Sequence, residues 1–278
     1  MPTSIHAFQL GQFRCFILPD AVRQVDASIL FSNAPEEELA QVLAERGSEG
    51  RLDNIFGCML IQTGRHNILV DTGLGDVPGA GQLMSNLEQA GLTPDDIDVV
   101  VITHAHPDHI GGLLTPDGEL AFPLASYHMW QSEWDFWTDE ARLAELPEGR
   151  PDFARRCLPP IRDRLMLVVD AGEEIVPGLI ALPTPGHSPG HMSLLLTSGD
   201  HTLLLAGDVL LNEIHVAHPE WVAAFDMDTA MVPVTRRALL QQAADNKWLV
   251  SAFHFPLPGL GRIEQDGERF RWQQEQVY

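Results

Sequence analysis

Residues 103–112 read Thr103-His104-Ala105-His106-Pro107-Asp108-His109-Ile110-Gly111-Gly112, and the rest of the chain is best read outward from them. Three imidazoles and one carboxylate fall within six residues. All four are good ligands for a borderline divalent ion. Their spacing (i, i+2, i+4, i+5) does not fit one face of a helix. It does fit a loop leaving a strand: His104 and His106 project one way from extended backbone, and Asp108 and His109 start the next helix. The strand is at hand. Val99-Val100-Val101-Ile102 is β-branched and continuous, the pattern of a strand buried on both faces. Pro107 stiffens the loop, and Gly111-Gly112 let backbone pack closely. Ligand-bearing loops at strand ends are the usual location of α/β sites.

Three further apolar runs end on a ligand. His187 follows Leu179–Leu182 through Thr184-Pro185-Gly186. Asp208 follows Leu203-Leu204-Leu205-Ala206-Gly207. His254 follows Trp248–Phe253. A catalytic ion takes about three protein ligands plus water. Five histidines and two aspartates exceed that. They suit two ions when one carboxylate bridges and a hydroxide bridges as well.

Other strands are predicted at Phe13–Leu18, Phe56–Thr63, Asn67–Asp71, Leu165–Val169, Met192–Leu196 and Thr202–Ala206. A hairpin closes the chain: Arg262–Glu264 and Arg269–Arg271 around Asp266-Gly267. Helices are predicted after Asn33-Ala34-Pro35, over Gln82–Ala90, and over Thr229–Ala244 with Asp228 as cap. Ser126 to Arg164 reads as helical and irregular. Two sets of strands with helices between and after them suggest a layered α/β sandwich.

Composition narrows the function. The 278 residues carry 17 Lys+Arg against 39 Asp+Glu, a net charge of −22, with 45% hydrophobic residues. That balance opposes nucleic acid and anionic membranes as partners. No apolar run approaches the ~20 residues of a membrane span. The N-terminus, MPTSIHAFQLGQF, lacks a basic n-region and a long apolar core, so a cytoplasmic location is expected. Cys15, Cys58 and Cys157 read as reduced side chains. The absence of a repeat or linker favours one domain over residues 1–278.

His104-Ala105-His106-Pro107-Asp108-His109, followed in order by His187 in TPGHSPGH, Asp208 in LLLAGDVL and His254, resembles the metallo-β-lactamase superfamily over nearly the whole chain. The resemblance implies an αββα sandwich of two mixed β-sheets flanked by helices, with the site at the edge between the sheets. It implies that His104, His106 and His187 hold one ion, that Asp108, His109 and His254 hold the other, and that Asp208 bridges. Asp71 in ILVDTG also matches a superfamily position, where it is expected to fix loop backbone rather than touch metal. His191 in TPGHSPGH is expected to donate a hydrogen bond behind the ligands rather than to bind metal. His6, His66, His128, His201 and His218 are read as ordinary side chains.

Two divalent ions lower the pKa of bound water from ~15.7 toward ~7. The expected reaction is therefore attack by a metal-bridging hydroxide on a carbonyl or phosphoryl centre, with Asp108 passing a proton to the leaving group. Zinc leads the expected metals, with Mn, Fe and Co also compatible. Within the superfamily, the true β-lactamases are disfavoured by the missing secretion signal and the presence of Asp208. Nucleic-acid-processing members are disfavoured by charge. Flavodiiron proteins are disfavoured by the missing Glu and flavodoxin-like domain, and glyoxalase II by the 24 residues that follow His254. The chain is more similar to the group of acyl-homoserine lactone lactonases and methyl parathion hydrolase, through the residues from Tyr127 to Trp137, the Asp208–Ala217 segment and the acidic early helix. The favoured substrate is a small, neutral or apolar lactone or carboxylic ester. Organophosphate triesters and thioesters are alternatives, and a non-catalytic metal-binding or regulatory protein is the alternative of another class.

One departure concerns the carbonyl. Small homoserine-lactone lactonases place a Tyr shortly after the bridging Asp. The tyrosines here are Tyr127 and Tyr278, so His215 is the candidate to polarise the substrate. Trp130, Trp134 and Trp137 share a helical spacing. They are read first as core and second as a pocket wall, and Phe31 invites the same two readings. The resemblance also admits a homodimer through the acidic N-terminal segment.

Overall fold

In the computed structural model, residues 4–77 and 79–277 are described, so Tyr278 lies outside them. Among the described residues, fourteen strands form two sheets of seven. The first holds β1 (His6–Leu10), β2 (Phe13–Asp26), β3 (Arg51–Gln62), β4 (Asn67–Val70), β5 (Val99–Ile102), β6 (Ser126–Trp130) and β7 (Leu165–Val168), in that order. The second holds β8 (Glu174–Val176), β9 (Leu179–Pro183), β10 (Met192–Ser198), β11 (His201–Leu205), β12 (Leu249–Ser251), β13 (Leu260–Asp266) and β14 (Arg269–Gln274), also in sequence order. Both are mixed. Pairing is parallel from β4 to β7 and between β11 and β12, and antiparallel elsewhere.

Alternation along the strands builds three apolar layers. Met59, Ile61, Val99 and Val101 face Leu194, Leu196, Leu203 and Leu205 across the space between the sheets. Leu60, Val100 and Ile102 point to the other face, under the helices Leu83–Gln89 and Gln131–Trp137. Leu204 and Val250 point out beneath the helix Met231–Asn246. β5 is thus buried on both faces, as its sequence predicts. Each such Val, Ile or Leu contributes about 1.5–3 kcal/mol on burial. The layer order is helix, sheet, sheet, helix: an αββα sandwich.

Several sequence expectations change. Ser126–Trp130 is a strand, parallel to β5, although it reads as the start of a helical region. Five residues ending directly in a helix leave no turn residue to mark the change of period. Trp130 therefore closes a strand, and the three tryptophans do not share a helix face. Trp130 packs on the inter-sheet core, while Trp134 and Trp137 are buried in the outer cluster. β1, with its turn at Gly11, and β8 are additional. The late helix spans Met231–Asn246, and Asp228 Oδ1 accepts from the N–H groups of Ala230 and Met231. All three cysteines are free and buried. No helix among the described residues is long and apolar enough to cross a membrane.

Candidate metal centre

The ligand candidates sit where strands of both sheets end at one edge of the sandwich. β5 runs into His104–His109, β9 leads to His187, β11 to Asp208, and β12 to His254. The Met192 N–H donates to the Thr103 carbonyl at 3.0 Å and ties the two sheets together there. Gly112 approaches the Thr72 carbonyl so closely that a Cβ would collide with it. All seven predicted side chains converge.

They converge as two groups, His104/His106/His187/Asp208 and Asp108/His109/Asp208/His254, with Asp208 common to both. In the first, His106 Nδ1 lies 3.0 Å from His104 Nε2 and 2.9 Å from His187 Nε2. Asp208 Oδ2 is 3.1 Å from His187 Nε2. In the second, Asp208 Oδ1 is 3.3 Å from His109 Nε2 and 3.1 Å from His254 Nε2. Asp108 Oδ2 is 3.3 Å from His109 Nε2. Three imidazole nitrogens aimed at one point cannot all satisfy one another with protons, and His109 Nε2 is buried without a hydrogen bond. A cation suits both points.

The same crowding sets the titration of the metal-free cluster. Burial alone would lower His109, His187 and His254. The carboxylates beside them overcome it, raising His187 to about 9 and the other two above the usual histidine range. His104 and His106 are pushed well down by burial and by neighbouring imidazoles. Burial would raise Asp208 and Asp108, but the adjacent histidines hold both low, Asp108 at about 2. Divalent ions at these points would take the place of the protons that the carboxylates favour on His109, His187 and His254.

A cavity of about 380 Å³ opens onto this cluster. His106, Asp108, Asp208 and His254 reach it. Its walls are mainly apolar, with Leu30, Phe56, Phe153, Leu211 and Phe225 contributing.

Residues 58–254, the span from β3 to the last histidine, match the family model of the metallo-beta-lactamase superfamily. The chain belongs to that superfamily. N-acyl homoserine lactonase AiiA of Bacillus thuringiensis subsp. kurstaki is 28% identical over 210 residues, 67% of this chain and 77% of that protein. An N-acyl homoserine lactonase of Bacillus cereus is 27% identical over 201 residues, 64% and 73% of the two chains. Among solved structures, AidC, described as a dizinc quorum-quenching lactonase in complex with a product, matches with a TM-score of 0.91 and 28% identity, covering 99% of this chain and 98% of that one. The hydrolase AbOPH matches with a TM-score of 0.92 over 99% of both chains, and at 24% identity it speaks to the fold alone.

Behind the candidate ligands stands a set of buried acceptors. His187 Nδ1–H donates to Asp226 Oδ1 at 2.7 Å, His254 Nδ1–H to the Ile55 carbonyl at 2.7 Å, and His109 Nδ1–H to Asp71 Oδ2 at 2.7 Å. Such partners fix the tautomer that presents Nε2 to an ion. Asp71 holds loop backbone as expected: it accepts from the N–H and hydroxyl of Thr103, both at 2.8 Å, from a backbone with φ of 61°. His191 does not donate toward the ligands as expected: its Nε2 accepts the Asp208 N–H at 3.0 Å, because that backbone amide is the donor pointed at it. Burial and the nearby His187 lower His191 to about 3, so the ring is neutral, and the bond from Asp208 N–H selects the tautomer with Nε2 free to accept.

Sequence reading missed Asp226 and Glu133. Glu133 is fully buried and accepts from the N–H groups of Ala105 and Gly190, the Ser188 hydroxyl and the Trp137 indole. It joins the loop of His104 and His106 to the loop of His187. Nothing in QSEWDFW marks it, because its partners lie in distant segments.

His215 is placed differently from the expectation. It is fully buried, its Nε2–H donates to the Leu30 carbonyl at 3.1 Å, and its ring lies 4.8 Å from that of Phe31. Leu30 lines the cavity and His215 stands behind it. His215 is not among the residues that line the cavity and supports its wall from behind. Burial, first, and Arg236 lower its pKa well below the usual range, so the ring is neutral. Tyr127 is buried too, its hydroxyl donating to the Phe122 carbonyl at 2.9 Å. Trp134 and Trp137 do not line the cavity, so their core reading stands.

Proposed function

We propose that this metal-dependent hydrolase opens lactones or cleaves carboxylic esters that are small and neutral or apolar, acting as one domain over residues 1–278. The observation that carries the reading is the single mouth shared by the two ligand groups and the apolar cavity. His104, His106 and His187 would hold one divalent ion and Asp108, His109 and His254 the other, with Asp208 between them. When bound, the two ions supply an activated water and polarise the ester carbonyl. Zinc is the proposed metal. The lactonase names of the relatives point to the same substrate class.

The chain's own residues do the rest. Phe56, Phe153 and Phe225 exclude water and take the apolar part of the substrate. Asp108 is the most exposed ligand carboxylate, its side chain 15% accessible, against 4% for Asp208. It lines the cavity and is ionised at neutral pH. It is therefore placed to take a proton from the attacking water and deliver it to the leaving alkoxide.

The test is a panel of lactones, aryl esters, phosphotriesters, thioesters and β-lactams, with metal analysis of the same sample. Lactones or esters should be the best substrates, and Asp108→Asn should lower kcat. Equal, negligible rates on all five classes would remove the hydrolase reading.

A further inference from the structure

β5 and β6 are parallel neighbours, so they end side by side at the edge that carries the candidate ligands. The helix Gln131–Trp137 starts directly after β6, which sets its first turn beside the His104–His106 loop. Glu133 lies in that turn and is fully buried. Each of its oxygens takes two bonds. Oε1 accepts from the Ala105 N–H at 2.9 Å and from the Trp137 indole N–H at 2.7 Å. Oε2 accepts from the Ser188 hydroxyl at 2.8 Å and from the Gly190 N–H at 2.7 Å. Gly190 permits this approach, because a Cβ there would lie 2.2 Å from the Glu133 nitrogen. These donors adjoin the candidate ligands. Ala105 stands between His104 and His106, and Ser188 follows His187. The Trp137 ring meets that of His106 edge-on, with 5.8 Å between centroids.

The three imidazoles of this group come from different sheets: His104 and His106 follow β5, and His187 follows β9. They meet one ion only if their two loops keep a fixed spacing. A single buried carboxylate bonded to both loops fixes it, because moving either loop strips bonds from a group that water does not reach. We propose that Glu133 is the positioning residue of the His104/His106/His187 group: it holds the two loops at the spacing that lets three imidazoles face one ion. None of its four partners adjoins Asp108, His109 or His254 in the chain, so its effect falls on one ion site of the two. The inference rests on the proposed two-ion centre. Glutamate suits the post because an ionised carboxylate offers two acceptor oxygens and no donor. Glutamine would turn an amide N–H2 toward two of the four donors.

The test reads metal binding and spectra, so it does not depend on turnover. Competitive chelator titration of wild type with zinc should give two steps. Glu133→Gln should weaken one of them about tenfold or more while the other holds, the scale of losing a group that orients metal ligands. The visible absorption of the cobalt-loaded protein should change in the same variant, because the ligand geometry at that ion changes. Ser188→Ala and Trp137→Phe each remove one donor, from Oε2 and from Oε1, and should weaken the same step by less. They decide the matter if Glu133→Gln does not fold. Leu87→Ala, at a buried core position of the helix Leu83–Gln89, is the control for lost stability: its Tm should fall with both steps and the cobalt spectrum unchanged. Folded Glu133, Ser188 and Trp137 variants that keep both steps and the wild-type spectrum would overturn the positioning role and leave the two-ion centre standing. Equal weakening of both steps would do the same. A wild type that binds no zinc would overturn the centre and the positioning role together.

Discussion

Asp226 is the cleanest place to perturb the candidate centre without touching a proposed ligand. Its Oδ1 takes the His187 Nδ1–H and its Oδ2 the Ala223 N–H, each at 2.7 Å, and the carboxylate is buried. Asp226→Ala leaves two buried donors unpaired, at about 1–3 kcal/mol each, so roughly 2–6 kcal/mol of stability should be lost. At about 2–4 °C per kcal/mol, Tm should fall by about 5 °C or more. His187 also loses the partner that holds its ring, which should weaken metal binding about 10–100-fold. The geometry localises that loss. His187 belongs to the group with His104 and His106, so one of two binding steps should weaken while the step at Asp108/His109/His254 holds. Competitive chelator titration with two resolved steps reads this directly. If both steps weaken equally, or neither does, the division into two groups around His187 and His109 is wrong.

The mirror variant is Asp71→Ala, which removes the partner of His109 and should weaken the other binding step; loss confined to the His187 step would contradict it. Gly207 has φ of 54°, and a Cβ there would lie 2.6 Å from His191 Nε2, the acceptor of the Asp208 N–H. Gly207→Ala should therefore lower Tm and metal content together, and a variant matching wild type in both would refute the fit. In metal-free protein the His187 pKa is raised from 6.5 to about 9. Its protonated ring stabilises the fold fully below pH 6.5, and that contribution is lost as pH rises through about 9. The chelated protein should thus melt at lower temperature at pH 9 than at pH 6.5, and reloading with zinc should flatten the fall; a flat or rising Tm without metal would count against the buried cluster.

The convergence of the candidate ligands was legible because each sits one short step past an apolar strand, where local sequence and position in the fold coincide. His104, His106, Asp108 and His109 lie within a single loop, and the superfamily resemblance supplied the grouping that spacing alone left open. The supporting residues were not legible for the opposite reason. Glu133 bonds Ser188 and Gly190, and Asp226 bonds His187, across separations that only the folded chain closes. His215 shows the limit from the other side. It follows Asp208 at a suggestive distance in sequence, but the short helix Ile214–Ala217 turns its ring against Leu30 and Phe31. The strand Ser126–Trp130 was hidden because β-pairing to Val99–Ile102 is non-local and the sequence passes straight into a helix.

The central claim is that these seven side chains hold two ions that make the cavity hydrolytic. One measurement meets it most directly: metal content per chain and the rate of γ-lactone opening, followed on one sample through chelation and stepwise return of zinc. The account expects two equivalents per chain, loss of lactone opening on chelation, and recovery that completes at the second equivalent. Fewer than one equivalent per chain, or lactone opening that survives chelation, would contradict it.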